Sequence, residues 1–238
     1  MSELGDFIKH YMFGHQAPSQ FMAGLKSEID NSLQIDTKSL IKSIKEEAKE
    51  IEESNTSSIV DAPSHGHLEL CSNVMSAYNN LLPVLGDQNS TLEFISKAMM
   101  AGVNNLSMRT SLSLMLDACK NNPDRLKEIF SWLMNQYGAT FNWTAQHKET
   151  EDEDSFSIEI QKCYYFNFFS SHDVAFLTPI LCQLDSIWFE MVDPKKHGFT
   201  FDKSRYQTQG YSAPKCVFPI VMKKKKSWFL NLSMKNYM

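Results

Sequence analysis

The sequence predicts an α+β protein, a helical N-terminal part followed by a four-stranded antiparallel sheet with helices covering one face. Three observations predict it. Up to about residue 138 apolar residues recur at helical spacing. From Phe141 onward they alternate with polar ones in two runs separated by the charged stretch ETEDED. A helical stripe over 174–191 is then followed by two more alternating runs, giving the order strand, strand, helix, strand, strand. The expected division is a mostly helical region over 1–138, packed on an α+β region over 139–238.

Residues 37–54 place Leu40, Ile41, Ile44, Ala48 and Ile51 on one face of an amphipathic helix, which spans too few heptads for a coiled coil. The segment 55–67, rich in Asn, Ser, Pro and Gly, reads as a loop. Within it Asp61, His65 and His67 have the spacing of a metal cluster, but a flexible polar loop is a poor mount for ligands. A helix from Leu68 to about Val84 stops at Gly86. The next opens at a capping box, Ser90 to Glu93, and runs to about Lys120 with a break near Asn104 and Asn105. Asn122, Pro123 and Asp124 then start a helix that ends before Gly138, with Leu126, Ile129, Phe130, Leu133 and Met134 as its apolar stripe.

Phe141, Trp143 and Ala145 alternate with Thr140, Asn142 and Thr144, and Phe156, Ile158 and Ile160 do the same in the partner strand. Phe176, Ile180, Leu184, Ile187 and Met191 form the stripe of the following helix, broken at Asp193-Pro194. The last two strands cover Phe199 to Thr208 and Lys215 to Met222.

The chain has 238 residues and a net charge of −5, which gives no footing for nucleic acid or an anionic membrane. Lys223 to Lys226 are the exception, a like-charge block of the kind that forms solvated tails and strand ends, or else an anionic-ligand or membrane-surface contact. The N-terminus carries Glu3 and Asp6 and lacks the apolar core of a secretory signal. A cytoplasmic protein with reduced cysteines follows, and a homodimer is the base-rate expectation.

Chemistry concentrates in the last third. Cys182 and Asp185, three apart, share a helix face, while Cys163 closes the second strand and Cys216 lies on the fourth. Convergence where the helix crosses the strand ends is one reading, and three buried packing thiols is the other. No Cys-x-x-Cys is present, which speaks against a zinc ribbon. No metal and no cofactor is assigned to the site. Alternation places Arg205 on the buried face with Phe199 and Phe201, where it needs a carboxylate: Asp185, or that of a substrate. Thr208 and Gly210 offer a hydroxyl and a close backbone approach beside it. His172 and His147 are possible bases for a thiol, each next to polar turn residues that suit a solvated histidine. Trp143, Trp188, Phe166, Phe168 and Phe169 read as core.

The strand ending in Cys163, the aromatic stretch to Phe169, Cys182-x-x-Asp185, Arg205-x-x-Thr208-x-Gly210 and Cys216-x-Phe218 resemble the L-2-amino-thiazoline-4-carboxylic acid hydrolase family. More distantly they resemble the 4-vinyl reductase type of small-molecule-binding domain. The resemblance covers residues 155 to 220, and it departs from the family pattern at Val217, where an acid is usual, and at Tyr206, where Thr is. It implies hydrolytic opening of a small carboxylate-bearing sulfur heterocycle. Arg205 would hold the carboxylate, with Thr208, Gly210 and Cys216 nearby. A thiolate of Cys182 or Cys163 would attack the C=N carbon, and Asp185 or a histidine such as His172 would move protons. Two other readings stand beside it: a tailoring enzyme forming or rearranging a heterocycle in a natural-product pathway, and a non-catalytic small-molecule-binding domain.

Overall fold

Four short acceptor side chains start the N-terminal helices. Asp36, Asp61, Asp87 and Asn105 each adopt extended or near-extended backbone and accept a hydrogen bond from an amide in the first turn that follows. The computed structural model describes residues 16–119, 123–149 and 154–222. Helices α1 (Ala17–Ser32), α2 (Thr37–Ser54), α3 (Ala62–Leu85), α4 (Gln88–Val103), α5 (Leu106–Ala118) and α6 (Pro123–Gln136) precede the first strand. Where α1 crosses α4 the backbones nearly touch, since a Cβ on Gly24 would collide with Ala98 O and one on Gly102 with Gln20 O. Beside this crossing the buried Glu28 is held ionised by Lys97 Nζ at 2.5 Å, a hydrogen bond that keeps its carboxyl below the ordinary range.

The predicted loop over 55–67 ends sooner. Asp61 and Ser64 form a reciprocal cap, Pro63 sits in the first turn, and Ala62 onward is helix. Asp61 also accepts the Ala139 amide at 2.7 Å, so one carboxylate starts α3 and fixes the turn at Gly138, whose φ is +79°. Ser90 is likewise not the cap of α4. Asp87 takes that position and accepts the Ser90 amide at 2.9 Å. Gly86 ends α3 in the left-handed region as expected, and the break at Asn104 and Asn105 is present.

The sheet is antiparallel, in the order β1 (Asn142–Glu149), β2 (Asp154–Lys162), β4 (Cys216–Met222), β3 (Phe199–Phe201). Between β2 and β3 the chain departs from a single helix. An unpredicted helix α7 (Tyr164–Ser171) follows Cys163, and the stripe over 174–191 divides into a 3-10 turn, α8 (Thr178–Cys182) and α9 (Asp185–Met191), before α10 (Pro194–His197). Gln183 and Leu184 keep helical dihedrals at the joint, where bonds shorten to the 3-10 pattern, Ser186 N to Gln183 O and Ile187 N to Leu184 O.

β3 is also shorter than its alternation suggests. Asp202 stops it by accepting the Ser204 amide at 3.0 Å, and pairing resumes only at the Gln207 and Val217 bridge. The proposed cap at Asn122, most of the hairpin's charged turn, the N-terminal fifteen residues and Lys223 to Lys226 lie outside the described residues. No helix among the described residues is long and apolar enough to cross a membrane.

Candidate functional site

Register builds the floor of a cavity. Ile158 opposes Phe218 and Ile160 opposes Cys216 on the sheet face that looks toward the helices. Phe130, Leu133 and Met134, the apolar stripe of α6, roof it. Cys163, Cys182 and Asp185 complete a cavity of about 130 Å³ with Tyr137, Tyr165, Trp188 and Phe189. Three thiols and one carboxyl that the sequence spreads over 54 positions therefore meet, although Cys182 and Asp185 belong to consecutive helices.

Asp185 is the ionisable anomaly of the site. Its carboxyl lies on the cavity wall, and burial there pushes it up from 3.8 to about 7 against the opposing pull of one hydrogen bond. That bond comes from the Tyr206 hydroxyl, which donates to Asp185 Oδ2 at 2.6 Å. The Tyr206 ring is fixed edge-on between Phe189 and Phe218, at 4.8 and 5.5 Å between ring centroids. Burial and the Asp185 carboxylate both hold the Tyr206 phenol protonated.

This arrangement corrects the expected pairing of Asp185 with Arg205. Because β3 ends at Phe201, alternation no longer applies at Arg205. Its side chain is 44% exposed and its Nε donates to Asp202 Oδ2 at 2.6 Å. The neighbouring residue, Tyr206, reaches the carboxylate instead. The departure from the family pattern at Tyr206 is thus a contact within the site. Val217 is not one, since it alternates with Cys216 and Phe218, is absent from the cavity wall and pairs with Glu159 on the opposite face.

The thiols differ. Burial pushes Cys182 up to about 12, the Thr208 hydroxyl and Gly210 backbone pulling the other way, so it stands as a thiol. Gly210 is required where it lies, because a Cβ there would sit 2.7 Å from Cys182 Sγ. Thr208 is 1% exposed, and among the described residues its Oγ1 meets no partner at hydrogen-bonding geometry. Cys163 and Cys216 share a hydrogen bond that raises the first and lowers the second, so any ionisation of the pair falls on Cys216. The buried Gln209 ties them together, its amide donating to Cys216 Sγ at 3.3 Å and its Oε1 accepting from Cys163 N at 3.2 Å.

The histidines are elsewhere than expected. His172 Nε2 meets Asn55 Oδ1 at 3.1 Å and its ring packs on Phe168, so it does not line the cavity. His147 is exposed on β1. His67, assigned by sequence to a loop, is buried on α3. Its Nε2 lies 3.0 Å from Tyr137 O and its Nδ1 3.1 Å from Tyr165 Oη. A carbonyl only accepts, so Nε2 carries the proton and Nδ1 accepts from Tyr165. Burial depresses His67 to about 4, which preserves this neutral tautomer at neutral pH. The cluster Asp61, His65 and His67 is therefore no metal site, since Asp61 is a helix cap and His67 a buried anchor. Among the described residues no group of three His, Cys, Asp or Glu side chains is arranged to hold a metal ion.

The family model of L-2-amino-thiazoline-4-carboxylic acid hydrolase matches residues 74–219, more than half of the chain. The chain belongs to this family. No curated protein and no solved structure matches it. The match of this family member begins far upstream of the motif-bearing residues 155 to 220, and it takes in α6, whose side chains roof the cavity. A helix that supplies only apolar wall carries no motif, so its membership in the site was invisible to spacing.

Proposed function

We propose that this chain opens a small thiazoline-type ring by hydrolysis at its C=N carbon, with Asp185 as the proton-moving group. The observation that carries this reading is a carboxyl balanced near neutrality on the wall of a cavity lined by thiols and aromatic rings. As a carboxylate, Asp185 takes a proton from water while the water oxygen bonds to the C=N carbon. It returns that proton to the ring nitrogen. It then takes the hydroxyl proton as the new C=O forms and passes it to the departing ring sulfur. One water is consumed, the carbon–sulfur bond breaks, and the product bears a free thiol.

Two features set the substrate's orientation. Among the described residues no Lys or Arg lines the cavity, so a carboxylate is unfavourable inside it. Cys182 and Phe189 of the cavity wall also border an open groove of about 340 Å³, which they share with Lys203 and the Asp185 partner Tyr206. Glu190 in that groove is paired with Arg109 at 3.3 Å, which leaves Lys203 Nζ, 6.0 Å above the Phe189 ring, as the anchor for the carboxylate. The ring would then enter past Cys182, which acts as a hydrogen-bonding wall because burial outweighs the pull of Thr208 and Gly210 and keeps it a thiol.

The purified protein should convert 2-amino-thiazoline-4-carboxylate to a ring-opened thiol, measured by chromatography. Asp185→Asn should abolish turnover and Cys182→Ser should reduce it about tenfold or less. Full loss in Cys182→Ser with retained activity in Asp185→Asn would replace this mechanism with thiol attack.

A further inference from the structure

Asp185 faces two cavities. Behind the one already described, on the side of the N-terminal helices, lies a chamber of about 70 Å³ reached between α3, α4 and α5. Tyr137, Tyr165, Leu184, Asp185 and Trp188 line both spaces, so these residues form the partition between them. The remaining wall includes His67, Val103 and Leu112, with half-buried Ala17 and Met108 toward the surface.

Its contents follow from its size and its polar groups. At about 30 Å³ of liquid per molecule, the chamber has room for about two waters, provided each finds two or more polar partners. The polar groups of Asp185 and Tyr165 belong to the partition. Asp185 Oδ2 takes the Tyr206 hydrogen bond, whereas Oδ1 takes none from the described residues. The Tyr165 hydroxyl is committed as a donor to His67, which leaves its oxygen lone pairs to accept. A substrate ring seated in the larger cavity would displace water from that side of the carboxylate. A second reservoir is then needed for the hydrolytic molecule.

We propose that this chamber is the water reservoir of the enzyme, from which the hydrolytic molecule passes beside the Asp185 carboxylate to the C=N carbon in the larger cavity. The inference rests on the hydrolytic reading above and adds where the water comes from. His67 is its positioning residue, because its neutral Nδ1 orients the Tyr165 hydroxyl and leaves the lone pairs of that oxygen turned to the water.

Filling the chamber from its helical wall tests this without touching Asp185. Ala17→Leu and, separately, Val103→Phe narrow it. Expected in both are a drop in kcat of about tenfold with KM within about twofold. The Asp185 carboxyl, followed by carbon-13 NMR, should titrate at higher pH once its water is removed. A crystal structure of the unaltered protein should show water within hydrogen-bonding distance of Asp185 Oδ1 in the chamber. A dry chamber would overturn the proposal, as would a filled one, verified crystallographically, that leaves both kcat and the Asp185 titration unchanged. If the unaltered protein turns over no thiazoline carboxylate while the water is present and the titration moves, the substrate assignment fails and the water site stands. Should one variant not fold, the other gives the same readouts.

Discussion

Replacing Asp185 by Asn makes a stability prediction that needs no knowledge of the substrate. Burial raises this carboxyl from 3.8 to about 7 in the folded chain. Between those values the folded protein binds more protons than the unfolded one, so stability is complete below about pH 4, falls as pH rises, and levels off above about pH 7. At about 1.4 kcal/mol per pH unit, the whole span amounts to about 4 kcal/mol. Asn cannot ionise, yet its Oδ1 still accepts from Tyr206. Asp185→Asn should therefore match the unaltered protein near pH 4, exceed it by about 2 kcal/mol at pH 5.5, and exceed it by about 4 kcal/mol at pH 8. Guanidinium unfolding of both proteins at each pH measures this, and other titrating groups cancel in the difference. A stability difference that stays constant from pH 4 to 8 would refute the assignment of a neutral-range carboxyl at this site.

Other substitutions read the same architecture. Gly210→Ala places a methyl against Cys182 Sγ and should lower stability by about 1–3 kcal/mol and kcat/KM about tenfold. Arg205→Ala removes an exposed pair with Asp202 and should change stability by less than about 1 kcal/mol and leave turnover within about twofold. Lys203→Ala should raise KM about tenfold at nearly constant kcat, the signature of a lost charged anchor. Gly102→Ala has no room against the Gln20 carbonyl and should destabilise by about 3 kcal/mol or more in thermal or chemical unfolding, with little effect on the pH profile.

What could be read from the sequence depended on how local its cause was. Helical and strand periods are set by neighbouring residues, and α2, α6, β1 and β2 lie where their apolar stripes place them. The spacing of Cys182 and Asp185 brought both onto one wall even though a joint at Gln183 and Leu184 divides their helices. Alternation misled at Arg205, because a single Asx turn at Asp202 ended the strand. The turn residues Asp202 and Ser204 were the available signal. The α7 helix was missed because Tyr-Tyr-Phe-Asn-Phe-Phe is too short and too uniformly aromatic to show a period. His67 was misplaced by the Pro and Gly around it, although Asp61 with Ser64 three residues on was a helix start. The contact from Tyr206 to Asp185 depends on register and on the α8 to α9 joint, and no local pattern encodes it.

The cavity wall is assembled from both sides of residue 138. α6 contributes Phe130, Leu133 and Met134, and β2 and β4 contribute Ile158, Ile160, Cys216 and Phe218. A fragment stopping at residue 138 would keep a lid with nothing beneath it, and one starting at 139 would open Asp185 to bulk water and return its carboxyl toward ordinary acidity. Neither piece could be exchanged alone with a relative and carry the chemistry along. A substitution that enlarges the roof therefore calls for a smaller side chain on the floor, position against position, across the seam the two parts share.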